Sequence, residues 1–149
     1  MQLKVILLTS FLISCFYTQA QKTDTDAIRQ TLNAYKQKIE QLDTTGIIDL
    51  FTANSNVVEQ GKDEGTISQY LQHHLGPELK EFNSFKFQDY KVKVELAGNY
   101  AFARESYIYI ITLKDNREIR SAGLSTSVLQ IGKGKWKIAH SHSSFRKIK

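Results

Sequence analysis

The sequence predicts an α+β domain in which helices come first and an antiparallel sheet follows. Apolar residues recur at spacings of three and four between residues 28 and 42, which is the period of an amphipathic helix. From residue 85 onwards polar and apolar residues alternate, and turn-forming residues divide this part into four strands. Helices that precede a run of strands are typical of an α+β fold. We therefore expect long strands in a curved sheet that wraps around the helices.

The first predicted element is a long helix. Threonines and aspartates at 23–26 supply candidate N-caps, and one apolar stripe then continues to about Asp43. The Thr44-Thr45-Gly46 sequence ends this helix, and residues 47–51 predict a short second helix.

A brief strand and a third helix complete the first half of the chain. Residues 54–56 predict a turn, and residues 57–60 predict the strand. After a loop at 61–65, Thr66 can cap a third helix. The Gly76-Pro77 pair is expected to break or kink this helix, because proline lacks the backbone donor that a helix requires.

The second half predicts four strands joined as a meander. Alternation is strong in the second half of residues 85–96, and the Gly98-Asn99 pair is a hairpin turn signal. Two long strands follow at 100–113 and 118–131, and the turn at 132–134 leads into the last strand.

The last strand divides its side chains between two faces. One face carries Trp136, Ile138, His140 and His142, and the other carries Ala139, Ser141 and Ser143. Small residues leave volume in front of a sheet, so the second face is expected to line a pocket. Trp and Ile on the first face would suit an apolar contact between two sheets.

Residues 1–20 predict a secretory signal peptide. A positive start at Lys4, an apolar run at 5–17 and small residues before the cleavage site fit this pattern. The run is too short to span a bilayer as a mature helix. Cleavage after Ala20 would leave a single domain at 21–149, secreted or periplasmic.

Cys15 leaves a second processing route open. Leu12-Ile13-Ser14-Cys15 resembles a lipoprotein cleavage box, in which Cys15 would carry a lipid anchor. Phe16 and Tyr17 argue against it, since they extend the apolar run past the cysteine. On either route the folded domain has no cysteine and therefore no disulfide.

Basic residues are concentrated near the C-terminus. The formal charge is +5, of which the signal peptide contributes Lys4 alone, so the mature chain carries about +4. No acidic residue follows Glu118. This asymmetry is compatible with a patch for an anionic partner or with a solvated strand face and a basic tail. No nucleic-acid motif is present, and we expect no nucleic-acid partner.

The order of elements, together with the final Gly134-Lys-Trp-Lys-Ile-Ala-His-Ser-His-Ser-Ser144 stretch, resembles the SnoaL-like branch of the nuclear transport factor two-like superfamily. The final strand is similar to that of the association domain of calcium/calmodulin-dependent kinases. The segment 64–78 is similar to the corresponding part of secreted bacterial relatives. The resemblance implies a cone-shaped, cystatin-like α+β roll around a pocket, and often dimers formed through the sheets. It implies no single activity.

The kinase association domain also implies a place for individual residues. Its pocket arginines correspond to Tyr107, Ser127 and Ser143 here, so a preference for anionic ligands is not implied. The same comparison puts Ala139, Ser141 and Ser143 towards the pocket. It puts the face of Trp136 on the convex side, where it would form the homodimer contact.

Polar residues on strand faces form the first candidate site. The candidate ligand-binding residues are Glu59, Glu105, Tyr107, Ser127, Ser141 and Ser143, with Ser125 beside them. A carboxylate in an apolar cone can have a raised pKa and act as a general base, so Glu59, Glu105 and Tyr107 are the catalytic candidates. The alternative is that these are ordinary polar strand residues, hydrogen-bonded to neighbours or water.

His140 and His142 form a second candidate site. Two imidazoles at i and i+2 can ligate one metal ion, and His74 or Glu59 could complete the set. Histidines on the convex side could not be joined by His74, so packed or interface histidines are favoured. No metal and no other cofactor is predicted.

The sequence favours a protein that binds a small, largely apolar molecule in the cone pocket and forms a homodimer through the convex sheet face. Two alternatives stay open. One is an acid–base enzyme, an isomerase or hydrolase, that uses a pocket carboxylate and Tyr107. The other is a pure homo-oligomerisation module. The sequence does not decide whether a reaction is catalysed.

Overall fold

The computed structural model describes residues 23–148. The predicted signal peptide and Cys15 lie outside the described residues. Helix α1 covers residues 23–40, and a short 3₁₀ turn follows at Ile47–Leu50. No helix in the described part is long and apolar enough to cross a membrane.

Six strands form one sheet. They are β1 (Phe51–Glu59), β2 (Lys62–Gly65), β3 (Phe82–Ala97), β4 (Tyr100–Leu113), β5 (Glu118–Gly132) and β6 (Lys135–Lys147). Their order is β2-β1-β6-β5-β4-β3. Strands β3 to β6 form the predicted antiparallel meander, and β1 lies parallel to β6. The predicted α+β fold with a curved sheet is confirmed.

The first strand differs from the prediction. A turn at 54–56 was expected, but β1 continues through it, and Ser55 is buried there. Its hydroxyl accepts a hydrogen bond from the backbone N–H of Ile67, at 3.1 Å. The polar residues of this segment are therefore strand residues, and β2, which the sequence did not predict, pairs with the end of β1.

The third predicted helix, α2, is continuous through the expected break. It consists of an α-helical turn at Ile67–Tyr70, a π-helical turn at Leu71–Leu75 and a second α-helical turn at Gly76–Lys80. Thr66 caps it through a capping box with Gln69. The expected break does not occur, because proline is tolerated in the first turn of the last segment; the helix instead changes from a π-helical to an α-helical turn at Gly76.

Gly76 is what permits the π-helical turn. Its N–H donates to the carbonyl of Leu71, five residues earlier, and a Cβ built on Gly76 would overlap that carbonyl oxygen. A side chain at this position would therefore push the turn apart. π-helical turns are frequent at functional sites, and this one carries His74.

Trp136 lies in the core, so its predicted place on the convex face was wrong. The side chain is 5% exposed, and its Nε1 donates to Asp24 of α1 at 3.0 Å. Thr31 of α1 also donates to the Trp136 carbonyl, at 3.1 Å. Ile138 is buried beside it, so its predicted convex place was wrong as well.

A bulge at Ala139 explains this correction. Leu129 pairs with Ile138, but Val128 pairs with His140, so Ala139 has no partner on β5. One extra residue reverses the alternation of the side chains. Beyond the bulge, Ser141 and Ser143 face the helices, which is the concave side of the sheet. His140 and His142 face the opposite, convex side, as expected.

Apolar residues of α1, α2 and the concave face make up the core. The convex face has no element packed on it among the described residues. Two of its large apolar side chains are open to solvent: Phe102 is 53% exposed and Leu124 is 56% exposed.

Candidate functional site

A cavity of about 630 Å³ lies between the concave face and the two helices. Its volume is in the range of small-molecule sites. The aromatic rings of one wall touch each other: Phe85 contacts Phe87 and Tyr109, and Tyr107 contacts Phe87 and Tyr90. The cavity is therefore largely apolar, and its polar groups stand out.

The structure brings the six candidate ligand-binding residues to this one cavity. Its lining includes Glu59, Glu105, Tyr107, Ser127, Ser141 and Ser143, and also Ser125. They come from four neighbouring strands, β1, β6, β5 and β4. Ala139 was expected beside them, but it is the bulged residue and does not line the cavity.

Four of these residues form a row across the sheet. Glu105 pairs with Ser125, Ser125 with Ser143, and Ser143 with Glu59. Neighbouring strands are about 4.8 Å apart, so the row places one carboxyl at each end, three strand spacings from the other. Between them lie two hydroxyls, which can donate or accept hydrogen bonds.

Glu105 is the more buried end of the row. It is 9% exposed and accepts a hydrogen bond from the Tyr90 hydroxyl. Burial raises the pKa of its carboxyl, and the hydrogen bond from Tyr90 opposes the rise. Among the residues that the structure describes, no cation forms an ion pair with it. Glu105 is thus a buried carboxyl group that is hydrogen-bonded to the phenol of Tyr90.

Tyr107 lies two residues along the strand from Glu105, on the same face. Its hydroxyl lies 2.8 Å from Ser125 Oγ. Burial raises the pKa of Tyr107 to about 12, the hydrogen bond with Ser125 opposes the rise, and the charges of Glu105 and Glu59 add to it. The phenol therefore stays protonated at neutral pH and can donate a hydrogen bond to a bound molecule.

Gly123 on β5 makes the position of Tyr107 possible. The two residues are cross-strand partners, and a Cβ built on Gly123 would overlap the Tyr107 ring. The ring lies flat over the glycine, where a close approach needs the absence of a side chain.

A second polar cluster, centred on His74, surrounds Glu59. His74 Nε2 is 3.4 Å from Glu59 Oε2 and 3.3 Å from Glu78 Oε1, and its Nδ1 is 3.1 Å from Glu64 Oε1. Burial raises the pKa of Glu78; His74 opposes the rise, while the charges of Glu59 and Glu64 add to it. One imidazole is thus shared by three carboxyl groups from β1, β2 and α2.

Tyr70 ties this cluster together. Its hydroxyl donates to Glu59 Oε2 at 2.7 Å, and its ring stacks on His74 with centroids 5.3 Å apart. The sequence suggested His74 only as a residue that could complete a metal site, and it did not assign Tyr70 or Glu78 to any site. The signal was present, since Tyr70, His74 and Glu78 recur every four residues on one helix face.

The histidines considered for a metal site are not brought together. His74 lies in the cavity, whereas His140 and His142 are on the convex face. Within residues 23–148, no group of three or more His, Cys, Asp or Glu is arranged to hold a metal ion.

The profile of the SnoaL-like domain family matches residues 28–147. The chain belongs to the SnoaL-like family. This places it in the nuclear transport factor two-like superfamily. A comparison with curated protein sequences returns no match.

Solved structures share the SnoaL-like fold of this chain. A nuclear transport factor 2-like superfamily protein from Salmonella enterica has a TM-score of 0.74 and 20% identity, over 87% of this chain and 94% of that one. A protein with a cystatin-like fold from Caulobacter vibrioides has a TM-score of 0.67 and 19% identity, over 82% and 89%. A hexachlorocyclohexane dehydrochlorinase has a TM-score of 0.73 and 11% identity, over 87% and 91%. At these identities the likeness concerns the fold alone.

The groups that line the SnoaL-like cavity can act on a bound molecule in two ways. Its rings and aliphatic walls can cover an apolar molecule, and its carboxyl and hydroxyl groups can bind the polar atoms of that molecule. Acids with a raised pKa, here Glu105 and Glu78, are also suited to proton transfer.

Proposed function

We propose that this protein binds a small, largely apolar molecule in the cavity beneath the sheet. The observation that carries the proposal is a buried carboxyl, Glu105, set with the Tyr107 hydroxyl into an aromatic wall of a 630 Å³ cavity. Burying a carboxyl group costs free energy unless hydrogen bonds or an opposite charge compensate for the lost water. A few polar groups that converge in an apolar cavity are typical of ligand sites.

The remaining polar residues fit the same role. Ser127, Ser141 and Ser143 have short side chains, which leave volume in front of β5 and β6 and still offer hydroxyls. Tyr35 of α1 lines the opposite wall, and its hydroxyl has no hydrogen-bond partner within residues 23–148. Burial, with the charge of Glu59 adding to it, raises the pKa of Tyr35 far above its usual range, so the phenol is a donor.

The test is mass spectrometry of molecules that co-purify with the mature protein. We expect one small, mainly hydrocarbon molecule at near-stoichiometric amount. A Ser127→Phe variant would fill the cavity and should lose it, whereas Thr126→Phe puts the same ring on the convex face and should retain it. A molecule retained equally by both variants would show that it binds elsewhere. The proposal would be contradicted if the wild type neither retains a co-purified molecule nor binds any member of a panel of neutral, apolar small molecules.

An acid–base enzyme is the second candidate. It is favoured by a specific observation: Glu105 has a raised pKa and lies two residues from a protonated phenol, Tyr107, on the same face of β4. A carboxylate of raised basicity can remove a proton from carbon while a phenol donates to the oxygen that becomes negative. The similarity to a dehydrochlorinase shows the fold and leaves the reaction open.

Deuterium exchange tests this second function without knowledge of the product. The co-purified molecule is incubated with the protein in D₂O, and its C–H positions are followed by NMR. Enzymatic proton abstraction predicts exchange that Glu105→Gln slows by at least about 100-fold, in line with the usual contribution of a general base. Absence of exchange in the wild type would contradict the acid–base function and leave ligand binding as the proposed role.

Self-association through the convex face is part of the proposal. Phe102 and Leu124 are exposed there, and Ile108, Ile110 and Val128 surround them. Burying such a patch against a second copy would remove apolar area from water. Trp136 takes no part in this contact, because α1 covers it.

Export is proposed from residues 1–20, which lie outside the described residues. N-terminal sequencing of the processed protein distinguishes the two routes. Processing by signal peptidase predicts Gln21 as the first residue, and lipoprotein processing predicts a lipid-modified Cys15.

A further inference from the structure

Within the described part of the chain, four glutamates and three lysines line the cavity. Glu59, Glu64, Glu78 and Glu105 all contribute to its wall. The described residues that line the cavity include no arginine. Carboxylates accept hydrogen bonds and donate none, so this wall suits a ligand that brings donors.

The lysines near the cavity are already engaged or peripheral. Lys36 forms an ion pair with Glu40 at 2.7 Å, and Lys62 forms one with Glu64 at 3.0 Å. Lys147 lies at the exposed end of β6. An anionic ligand would therefore find no uncommitted cation at the inner wall, and the carboxylates would repel it.

One carboxylate oxygen of Glu105 is available to accept a hydrogen bond at this inner wall. Its Oε2 accepts from the Tyr90 hydroxyl, and its Oε1 accepts no hydrogen bond from any residue in the range 23–148. Glu105 lines the cavity and its Oε1 is not fully enclosed by protein atoms, so this oxygen is accessible from the cavity. A ligand donor can reach it without displacing a protein group.

Two aromatic rings lie near the Glu105 carboxyl: Tyr90 donates to it, and Tyr107 is the next residue on the same face of β4. The rings of Tyr90 and Tyr107 are stacked, with centroids 6.4 Å apart. The chain itself places an ammonium group on this wall, since Lys36 Nζ lies 5.6 Å from the Tyr90 centroid and 5.7 Å from the Phe87 centroid. Rings of this kind attract cations through their quadrupole.

We infer that the cavity selects organic amines: the protonated amino group binds Glu105 Oε1 beside the Tyr90 and Tyr107 rings, and the apolar body lies along the aromatic wall. The inference rests on the proposed binding function and adds the class of ligand to it. A neutral alcohol of the same shape would keep the apolar contacts and one hydrogen bond to the carboxylate, and would lose the attraction between opposite charges. A carboxylate of the same shape would be rejected.

Three naphthalene probes of matched shape test the inference on the wild-type protein. They are 2-(1-naphthyl)ethylamine, 2-(1-naphthyl)ethanol and 1-naphthylacetate, titrated by calorimetry at pH 7. We expect the amine to bind about tenfold or more tightly than the alcohol, and the acetate to bind most weakly. Non-specific attraction would give the reverse order, because the protein is a net cation.

A matched pair of variants locates the preference. Glu105→Gln keeps the side-chain volume and an acceptor for Tyr90, and should abolish the preference for the amine over the alcohol by lowering the affinity for the amine at least about tenfold. Glu95→Gln makes the same change on the exposed convex face and should change neither the affinity for the amine nor that for the alcohol.

The outcomes separate this inference from the function on which it rests. Equal or tighter binding of the alcohol or the acetate would overturn the amine preference and leave ligand binding in place. Retention of the preference in Glu105→Gln would overturn the assigned position. Failure of all three probes to bind overturns the inference, while ligand binding itself is then decided by the co-purification experiment.

Discussion

The Tyr107 ring lies directly over the backbone of Gly123, its cross-strand partner, and a Cβ at Gly123 would overlap it. The glycine thus shapes the cavity, although it contributes no side chain. It lets the ring lie against β5, where its hydroxyl reaches Ser125 at 2.8 Å.

Gly123→Ala should weaken ligand binding more than it weakens the fold. The methyl group displaces the ring into the cavity and breaks the hydrogen bond between Tyr107 and Ser125, which costs about 1 kcal/mol of unfolding free energy. The displaced ring also occupies ligand volume, so affinity should fall by at least about tenfold. Urea unfolding and titration of the co-purified molecule measure the two effects.

Gly132→Ala is the matched control. It lies on the same strand, and a Cβ there has nothing within 4 Å. Its unfolding free energy should stay within about 0.5 kcal/mol of the wild type, with unchanged affinity. Unchanged binding in Gly123→Ala would show that the position of Tyr107 does not shape the site.

The buried carboxyl of Glu105 should lower stability as the pH rises. Its usual pKa is 4.5 and burial raises the pKa in the folded protein, so between the two values the folded state holds the proton more strongly than the unfolded state. The free energy of unfolding therefore falls as pH rises through that window. Glu105→Gln, which cannot ionise, should gain stability relative to wild type from about pH 4.5 upwards.

Urea unfolding of both proteins between pH 4 and pH 7 measures this difference. Glu95→Gln, on the exposed convex face, should show no such trend. A stability difference that is flat or that shrinks with rising pH would contradict the raised pKa of Glu105.

The sequence predicted much of this fold because periodic patterns report which face a residue lies on. The α1 stripe and the four-strand meander are long enough for the period to be clear. The pocket residues followed, since Glu105 and Tyr107, like Ser125 and Ser127, share strand faces. The His74 cluster joins β1, β2 and α2, and only the folded chain shows which carboxyls meet one imidazole.

Salt should strengthen a dimer formed through the convex face. The exposed charges of that face are mostly cations: Lys86, Lys91, Lys93, Arg104, Arg120 and Arg146, against Glu95 and Glu118. None of the cations forms an ion pair with a described residue. Two copies would thus meet through apolar centres with like charges around them, and added salt screens the repulsion. Sedimentation at 50 and 500 mM NaCl should show tighter association at the higher concentration.

Leu124→Glu should abolish this dimer without unfolding the protomer, because the side chain is 56% exposed. Lys114→Glu, in the turn between β4 and β5, makes an acidic change away from the face and should leave the dimer intact. Loss of association in Lys114→Glu alone, or a dimer that persists in Leu124→Glu, would place the interface elsewhere.

Deletion of Ala139 should remove the ligand site and much of the stability. The bulge at Ala139 allows Trp136 and Ile138 to face α1 while Ser141 and Ser143 also face the cavity. Without it, regular alternation forces one of the two pairs to the convex side. The sequence could not show this bulge, because nothing in the alternating pattern distinguishes the bulged residue from its neighbours.

Exposing Trp136 would cost about 3–5 kcal/mol of unfolding free energy, and turning the serines outward would abolish ligand binding. Ala139→Ser keeps the chain length and should stay within about 0.5 kcal/mol of wild type. Wild-type stability together with wild-type binding in the deletion would show that the bulge sets neither face.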